Sequence, residues 1–265
     1  MSRYSWNAED YERNSQGQQK WARELIGKLS LKGTEKILDL GCGDGKVSAE
    51  IARSVGKGSV TGIDSSRSMI ALASEKYPSE IYPNLSFRVM DASRLSFEEC
   101  FDVVFSNAAL HWVKNQKLVV EGVFRSLKPE GKVLLQMGGK GNARYILAAL
   151  EEILSEPEWQ PYFSEFEFPF VFPDTLDYET LLSESGFKVN RVELIPKDME
   201  HAGRHGLEGW IRSTWLPYLE RVPDNKRERF IEAITARYIE HVPMDLNGKV
   251  HVAMVRLEVE AGKVT

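Results

Sequence analysis

The chain has 265 residues, 42% of them hydrophobic, which is enough for one large α/β domain or a domain with a sizeable insertion. Its formal net charge is −5, which argues against nucleic acid as a partner because neutralising phosphates requires a basic face. The two cysteines and the scattered histidines lack the spacing of zinc ligands, so no metal site is predicted.

The N-terminal residues show no export or membrane signal. Met-Ser-Arg-Tyr-Ser-Trp contains no apolar stretch, and no run of the chain approaches the length of a transmembrane helix. Cys42 and Cys100 each lie in or beside a predicted buried strand, which favours free thiols in a reducing compartment. We therefore expect a cytoplasmic protein without a membrane partner, present as a monomer or a homodimer.

Strands and helices alternate along the first half of the chain. After an amphipathic helix over 17–30, strands are predicted over 36–40, 59–63, 85–89, 101–106 and 131–137, and helices over 46–55, 66–76 and 115–127. This alternation is typical of a parallel sheet with helices on both faces. Beyond residue 138 it ends, and helices are predicted over 142–155, 177–185, 207–219 and 224–241, with strands over 187–195 and 250–259.

Residues 36–46, with the sequence KILDLGCGDGK, are the most informative segment. A short apolar run meets glycines at positions 41, 43 and 45, and a helical pattern follows at once. A buried strand, a glycine turn and a helix N-terminus are typical of a nucleotide site in an open α/β sheet. Counted from Gly41, however, the sixth position is Lys46, where the dinucleotide fingerprint requires glycine, and no loop ending in Gly-Lys-Ser/Thr is present.

The charge of the same loop favours a cationic ligand. Asp39 and Asp44 would repel a pyrophosphate at short range. S-adenosylmethionine carries an ammonium and a sulfonium, and the segment resembles motif I of the class I S-adenosylmethionine-dependent methyltransferases, (E/D)-x-L-D-x-G-x-G-x-G. The resemblance implies that Asp39 lies near the methionine ammonium and that Gly41, Cys42 and Gly43 contact the cofactor.

The end of the second predicted strand agrees with this resemblance. Asp64 lies 21 positions after Gly43, where a carboxylate can accept hydrogen bonds from both ribose hydroxyls. A strand-end aspartate can also be no more than a helix N-cap. The resemblance places Ser65 and Met69 beside the cofactor, with Met69 against the adenine.

The next two strand ends complete the predicted cofactor site. In the resembled family an acid after the third strand accepts a hydrogen bond from the adenine amino group, which implies this role for Asp91, with Ala92 beside it. The alternative is an aspartate that only forms a turn. After the fourth strand, Asn107 and Ala108 are expected to contact the cofactor through their backbone. The product would be S-adenosylhomocysteine.

The resemblance also implies the fold class. We expect an α/β fold with a Rossmann-like, seven-stranded, mostly parallel doubly wound sheet and a helical insertion that covers the substrate. Residues 1–138 would hold the N-terminal helix and the cofactor-binding core, and 187–195 and 250–260 the last strands. Residues 139–186 would form an insertion and 196–249 a helical cap, both at the sheet edge where ligands bind.

The flanking segments point to the acceptor. Tyr11 and Gln18, followed by Trp21, resemble the N-terminal helix of small-molecule carboxyl methyltransferases such as the trans-aconitate and juvenile hormone acid methyltransferases. The resemblance implies that Gln18 contacts the cofactor and Tyr11 the acceptor. The alternative is an amphipathic helix packed on the sheet edge. Residues 174–187 and 201–218 also resemble the trans-aconitate methyltransferases.

Aromatic and basic side chains are the candidate acceptor contacts. His111 and Trp112 follow the fourth strand, where the family lines the acceptor site, and Trp210 is expected to face the pocket with Thr214. In contrast, Trp215 shares a helical stripe with Ile211 and Tyr218, which predicts a packed helix face. Arg204, His205 and Arg212 are weaker candidates for pairing with an acidic substrate.

These features predict an enzyme that methylates a small molecule, with a carboxylate oxygen as the favoured acceptor and direct in-line transfer. A carboxylate needs no general base, whereas a hydroxyl or ammonium does. His111 is the candidate for such a base, or for positioning the acceptor, and the sequence leaves both roles open. The alternatives are methylation of an amine, phenol or carbon, a non-catalytic S-adenosylmethionine-binding module, and an NAD-dependent dehydrogenase.

Overall fold

The computed structural model describes residues 16–264, with side chains from Trp21 onward. The strands are β1 Lys36–Leu40, β2 Ser59–Asp64, β3 Leu85–Val89, β4 Phe101–Asn107, β5 Leu127–Gly138, β6 Phe187–His201 and β7 Val250–Lys263. The helices are α1 Gln16–Gly27, α2 Lys46–Ser54, α3 Arg67–Lys76, α4 Gln116–Ser126, α5 Arg144–Leu154, α6 Thr175–Glu184, α7 Gly203–Thr214, α8 Leu216–Leu219 and α9 Arg227–His241. Short 3₁₀ turns lie at Ala92–Arg94, Leu110–Trp112, Gln160–Tyr162 and Asp224–Lys226.

The strands form one seven-stranded sheet in the order β3-β2-β1-β4-β5-β7-β6. Strands β1 to β5 pair in parallel, and β7 is antiparallel to both β5 and β6. This confirms the predicted mostly parallel doubly wound sheet. The strand order reverses between β1 and β4, and ligands of open α/β sheets bind beyond the carboxyl ends of the strands at such a point.

Element bounds differ from the prediction mainly in the second half of the chain. Strand β6 runs six residues beyond the predicted end at 195, because its pairing with β7 continues as a long hairpin to His201. The predicted helix 207–219 begins at Gly203 and is divided at Trp215 into α7 and α8. Pro217 explains the break, since its ring cannot be accommodated in the interior of a continuing helix.

Apolar side chains form three clusters around this sheet. Two of them cover the sheet, one including Leu38, Leu40 and Val104, the other Ile37, Val103 and Phe105. Helix α6 packs in the first of these through Tyr178 and Leu182. The third, which we call the cap cluster, joins α5, α7, α8 and α9 to an aromatic segment over 159–172 and to the first half of β7. No helix within residues 16–264 is long and apolar enough to cross a bilayer.

Candidate active site

The three glycines of the β1–α2 loop have different spatial roles. Each has a positive φ, of 72° at Gly41, 54° at Gly43 and 80° at Gly45. A Cβ at Gly41 would lie 2.2 Å from the Cβ of Ala109, and one at Gly45 would lie 2.6 Å from the ring of Phe87. At Gly43 a Cβ would meet nothing within 4 Å. Gly41 and Gly45 therefore let the protein pack against itself, whereas Gly43 borders open space in which a ligand can approach bare backbone.

Asp64 fixes the shape of this loop from the neighbouring strand. One carboxylate oxygen accepts the N–H of Gly43 at 3.1 Å, and the other accepts the N–H of Ser66 at 2.8 Å. The N-cap of α3 is Ser66, whose hydroxyl accepts the N–H of Met69. Asp64 is therefore not the cap of this helix. Its oxygens keep lone pairs for a second hydrogen bond each, as binding of a diol requires.

Buried negative charge surrounds the loop. Asp39 is 2% exposed, and burial raises its pKa to about 7, opposed by a 2.5 Å hydrogen bond from the Ser48 hydroxyl and reinforced by the charge of Asp64. Burial also raises the pKa of Asp64. Burial, followed by the charges of Asp39 and Asp64, raises the pKa of the Cys42 thiol well above its usual value. A cation placed here would favour the ionised form of both carboxylates, whereas a pyrophosphate would add to the repulsion. The residues present thus fit S-adenosylmethionine and do not fit a dinucleotide.

The remaining predicted cofactor residues lie at the same sheet edge. The register pairs Asp64 with Val89, so Asp91 follows directly on the adjacent strand. Asp91 caps a 3₁₀ turn by accepting the N–H and hydroxyl of Ser93 at 2.8 and 2.7 Å. Burial raises the pKa of Asp91, but these hydrogen bonds outweigh it and the net pKa is lowered. In the same region Met69 is buried, Ala92 is half-buried and Ser65 is exposed.

The segment after β4 joins the glycine loop to a second site. Ala108 has a φ of 57°, and its N–H donates to the carbonyl of Gln136 at 2.7 Å. The expected backbone contact of Ala108 with the cofactor therefore cannot use this N–H. Asn107 precedes it at the end of β4 and is half-buried. Ala109 then packs against Gly41, so the segment that carries His111 and Trp112 begins at the glycine loop.

A cavity of about 70 Å³ lies beside Ala108, between the sheet edge and the cap cluster. We call it the acceptor cavity; its lining residues are Ala108, His111, Trp112, Asn142, Ala143, Phe170, Phe172, Trp210, Thr214, Trp215, Met254 and Arg256. Among these residues the titratable side chains are His111 and Arg256, and none is a carboxylate. Arg256 is 3% exposed, and its guanidinium carbon lies 4.7 Å from the ring centroid of Trp21.

His111 forms part of this cavity as a neutral imidazole. Its Nδ1 accepts the N–H of Gly138 at 3.4 Å, which leaves the ring proton on Nε2. Burial lowers the pKa of His111 to about 3, and the positive charge of Arg256 contributes. The His111 carbonyl accepts the N–H of Val171 at 2.8 Å and thereby ties the aromatic segment to the end of β4. Such an imidazole can donate one hydrogen bond but is a very weak base.

Aromatic rings form most of the remaining wall. Phe170 is central, with its ring centroid 4.6 Å from Trp112, 5.6 Å from Phe172 and 5.6 Å from Trp215. Trp210 lies 5.7 Å from Trp215. These contacts hold the rings in place and keep water away from whatever binds between them.

The structure brings some predicted acceptor residues together and places others elsewhere. His111, Trp112 and Trp210 all line the acceptor cavity, as does Thr214. Tyr11 lies outside the described residues, and Gln18 lies in α1 with its side chain outside the description. The weaker candidates pair with carboxylates at the surface: Arg212 with Glu228, and both Arg204 and His205 with Glu208. None of the three lines the acceptor cavity, and their pairing with an acidic substrate stays a prediction.

Seven residues of the cavity lining were missed: Asn142, Ala143, Phe170, Phe172, Trp215, Met254 and Arg256. Trp215 was assigned to a packed helix face, but the break at Pro217 changes the helical stripe and Trp215 lines the cavity. Arg256 was not singled out at all. A signal for it was present, since Arg256 has the same parity in β7 as Val250, Val252 and Met254, which face the cap cluster. A charge at an inward-facing strand position is unusual and requires a function or a partner.

Comparisons with known proteins agree with this geometry. Residues 37–131 match the family described as "Methyltransferase domain". An uncharacterized methyltransferase of Schizosaccharomyces pombe is 35% identical over 196 residues, which cover 72% of this chain and 74% of that protein. A trans-aconitate 2-methyltransferase of Shigella flexneri is 26% identical over 258 residues, covering 97% of each. The solved structure of a methyltransferase from Bacillus halodurans has the same fold, with a TM-score of 0.65 at 18% identity over 92% of this chain and 99% of that one. The chain thus belongs to the class I S-adenosylmethionine-dependent methyltransferases, acts on small molecules and uses S-adenosylmethionine as its cofactor.

Proposed function

We propose that this enzyme methylates a carboxylate oxygen of a small acid, giving a methyl ester and S-adenosylhomocysteine. The observation that carries the proposal is the composition of the acceptor cavity. It has a buried guanidinium and, among its described lining residues, no side chain able to hold a proton taken from the acceptor.

The acid–base properties of the cavity favour an acceptor that is already ionised. A carboxylic acid loses its proton near pH 4 and is a nucleophile at neutral pH, whereas a hydroxyl or ammonium must be deprotonated by a base of matching pKa. His111, with a pKa of about 3, is too weak for that task. Its remaining role is to donate the Nε2–H or to hold the loop after β4.

Positive charge supports the same conclusion. An arginine side chain stays protonated in proteins, so Arg256 brings a permanent positive charge. In a poorly hydrated cavity the attraction of this charge for an anion is stronger than in water. Lining rings such as Phe170 and Trp112 exclude water, and alignment of oxygen, methyl and sulfur is then the main contribution to rate. Some relatives are named trans-aconitate 2-methyltransferases, and the acceptor in that name is likewise an acid.

We further propose that the loop and strand-end residues hold the cofactor, which supplies an electrophilic methyl group. Asp39 would balance the ammonium, Asp64 would accept from the ribose and Asp91 from the adenine. Gly43 would provide the bare backbone that the ligand approaches. The other predicted contacts, which come from the resemblance, are Gly41, Cys42, Ser65, Met69, Ala92, Asn107, Ala108 and Gln18. The cytoplasmic location, the monomeric or homodimeric state and the absence of a nucleic-acid partner stay predictions.

A methyl-transfer assay tests the proposed function. Purified protein is incubated with methyl-labelled S-adenosylmethionine and a panel of mono-, di- and tricarboxylic acids, matched with the corresponding primary alcohols, amines and phenols. We expect label in a product that alkali hydrolyses to methanol, because esters are cleaved and ethers and amines are not. Alkali-stable label on an amine or phenol would contradict the proposal. Cofactor binding without turnover on the panel or on a metabolite extract would indicate a non-catalytic module.

A further inference from the structure

Two buried indole N–H groups in the wall of the acceptor cavity lack a hydrogen-bond partner. Trp210 is 3% exposed and Trp215 is 4% exposed, and neither Nε1 has an acceptor among the described residues. Buried polar groups are nearly always paired, and an unpaired one costs roughly 1–3 kcal/mol. Two such donors in one cavity wall require a physical explanation.

The fold holds both rings in fixed positions. Trp210 lies in the last turns of α7 with its ring 5.3 Å from that of His201. Trp215 is the residue between α7 and α8, and its ring lies 5.6 Å from Phe170 and 5.7 Å from Tyr218. The two indoles are 5.7 Å apart and nearly perpendicular, at 78°. Their packing therefore fixes both indoles in the same part of the cavity wall.

We propose that Trp210 and Trp215 bind the methyl acceptor, each donating its indole N–H to an oxygen of a single carboxylate group. The proposal rests on the proposed function, because it takes the occupant of the cavity to be the acceptor. Oxygen atoms are the partners these nitrogens lack, and an anionic oxygen accepts the stronger bond. Arg256, on the opposite element β7, adds positive charge to the same cavity.

The rest of the wall limits how many charged groups the acceptor carries. Besides the indoles, the polar side chains of the lining are His111, Asn142, Thr214 and Arg256. Phe170, Phe172, Met254 and Ala143 offer apolar surface only, and the cavity measures about 70 Å³. A second or third carboxylate placed against this surface would lose its hydration without gaining a partner, at a cost of several kcal/mol. The cavity thus fits one carboxylate on an apolar body better than a tricarboxylic acid.

Binding measurements on indole variants test this assignment. Trp210→Phe and Trp215→Phe each remove an N–H and keep an apolar ring, and Trp159→Phe is the matched control, because Trp159 is buried in the cap cluster outside the cavity. The probes are phenylacetate, hexanoate and trans-aconitate, titrated by calorimetry into protein saturated with S-adenosylhomocysteine. We expect the Kd of phenylacetate and hexanoate to rise about tenfold or more in each cavity variant, as for loss of a charged hydrogen bond. Trp159→Phe should leave it unchanged, and trans-aconitate should bind more weakly than phenylacetate to the unaltered protein.

Several outcomes would overturn the proposal. Equal Kd values in the cavity variants and the unaltered protein would mean that water or no partner satisfies these donors, and tighter binding of trans-aconitate would exclude a single-carboxylate site. If a variant does not fold, ¹⁵N-labelled indole resonances of the unaltered protein give the answer, since two of them should shift on saturation with phenylacetate. Because these readouts measure binding, acid binding through the indoles without formation of an ester would contradict the proposed function and leave the binding site standing.

Discussion

The cofactor edge and the acceptor cavity of this enzyme are assembled in different ways. The edge consists of short contiguous segments at neighbouring strand ends, 39–43, 64–69 and 91–92, and its geometry is largely backbone geometry. The cavity draws on segments as distant in sequence as 108–112, 170–172, 210–215 and 254–256, and it is made of side chains. Backbone geometry follows from local sequence, whereas a side-chain wall depends on tertiary packing.

The two regions also differ in charge. The cofactor edge concentrates the carboxylates of Asp39 and Asp64, whereas the acceptor cavity has Arg256 and no described carboxylate in its lining. A cationic donor and an anionic acceptor would each meet the opposite charge. Attraction between the two substrates would then add to the protein's own contribution, which is orientation and exclusion of water.

The largest effect expected is that of a methyl group added to the glycine loop. Gly41→Ala forces contact with Ala109 in addition to its unfavourable φ, so we expect destabilisation of roughly 3 kcal/mol or more. Gly43→Ala meets no protein atom, so we expect a loss of about 1–2 kcal/mol from its φ. Its affinity for S-adenosylmethionine should nevertheless fall by an order of magnitude or more. Thermal unfolding and calorimetry measure the two effects separately.

The exposed Gly56 provides the matched control, because its Cβ would meet nothing within 4 Å and its φ is not positive. Gly56→Ala should change neither stability nor cofactor affinity appreciably. If Gly43→Ala bound the cofactor as well as the unaltered protein, the open space at Gly43 would not be where the ligand lies.

The next largest effect is expected in the acceptor cavity. Arg256→Gln removes the positive charge and keeps a polar side chain, and we expect kcat/KM for a carboxylate acceptor to fall about a hundredfold or more. Cofactor affinity should stay within about threefold, since β4 and β5 separate β7 from β1 and its glycine loop. Steady-state kinetics and calorimetry check this, and a thermal melt confirms folding. An equal loss of cofactor affinity would mean that the two regions are not separable.

A pH-dependent difference is expected at the cofactor edge. The pKa of Asp39 is raised to about 7 in the folded protein, so protonation of this carboxyl favours folding. The resulting stabilisation is complete at a pH below the usual pKa of aspartate, and it is lost as the pH rises through 7. Asp39→Asn removes this loss, so the variant should gain stability relative to the unaltered protein between pH 5 and pH 8, by up to about 4 kcal/mol without cofactor.

The same carboxylate should control cofactor binding in the opposite sense. Affinity for S-adenosylmethionine is expected to increase from pH 6 to pH 8 in the unaltered protein, because the ammonium requires an ionised Asp39. In Asp39→Asn it should be weaker and flat over that range. Calorimetric titrations of both proteins with S-adenosylmethionine at pH 6, 7 and 8 test this. If the affinity of the variant changed with pH as much as that of the unaltered protein, the pH dependence would belong to another group.

A smaller effect is expected at His111. Asn retains an oxygen that can accept the N–H of Gly138, so His111→Asn should lower kcat/KM for a carboxylate less than about tenfold. A general base would instead be worth 10²–10⁴-fold. The depressed pKa makes the imidazole neutral above pH 5, and the kcat/KM profile from pH 6 to pH 9 should show no histidine titration. A steep loss in the variant would favour an amine or phenol acceptor.

How much could be read from the sequence follows the same division. The strand ends, the glycine loop and the carboxylates at 39, 64 and 91 were predictable, because the alternation of buried strands and glycine turns places them at one edge. His111, Trp112 and Trp210 were predicted as acceptor contacts and do line the cavity, the first two from a resemblance and Trp210 from the helical stripe it does not share. Trp215 was not, since a helical stripe cannot be followed across the break that Pro217 introduces. The pair of Arg212 with Glu228 was also out of reach, because Glu228 lies on another helix. The pair of Arg204 with Glu208 has the i,i+4 spacing but was missed because the predicted helix began at 207.

The smallest effect expected is that of Arg212→Ala, which serves as the counterpart of Arg256→Gln. Both residues are arginines on the acceptor side, but the side chain of Arg212 is 40% exposed and its guanidinium pairs with the exposed Glu228 at 2.5 Å. An exposed ion pair contributes less than about 1 kcal/mol to stability, so thermal unfolding should shift by only a few degrees at most. Its charge is already balanced by Glu228 and screened by solvent, and KM for carboxylates should change less than twofold. A large rise in KM would mean that the basic surface of the cap guides acidic substrates, and that the acceptor site extends beyond the buried cavity.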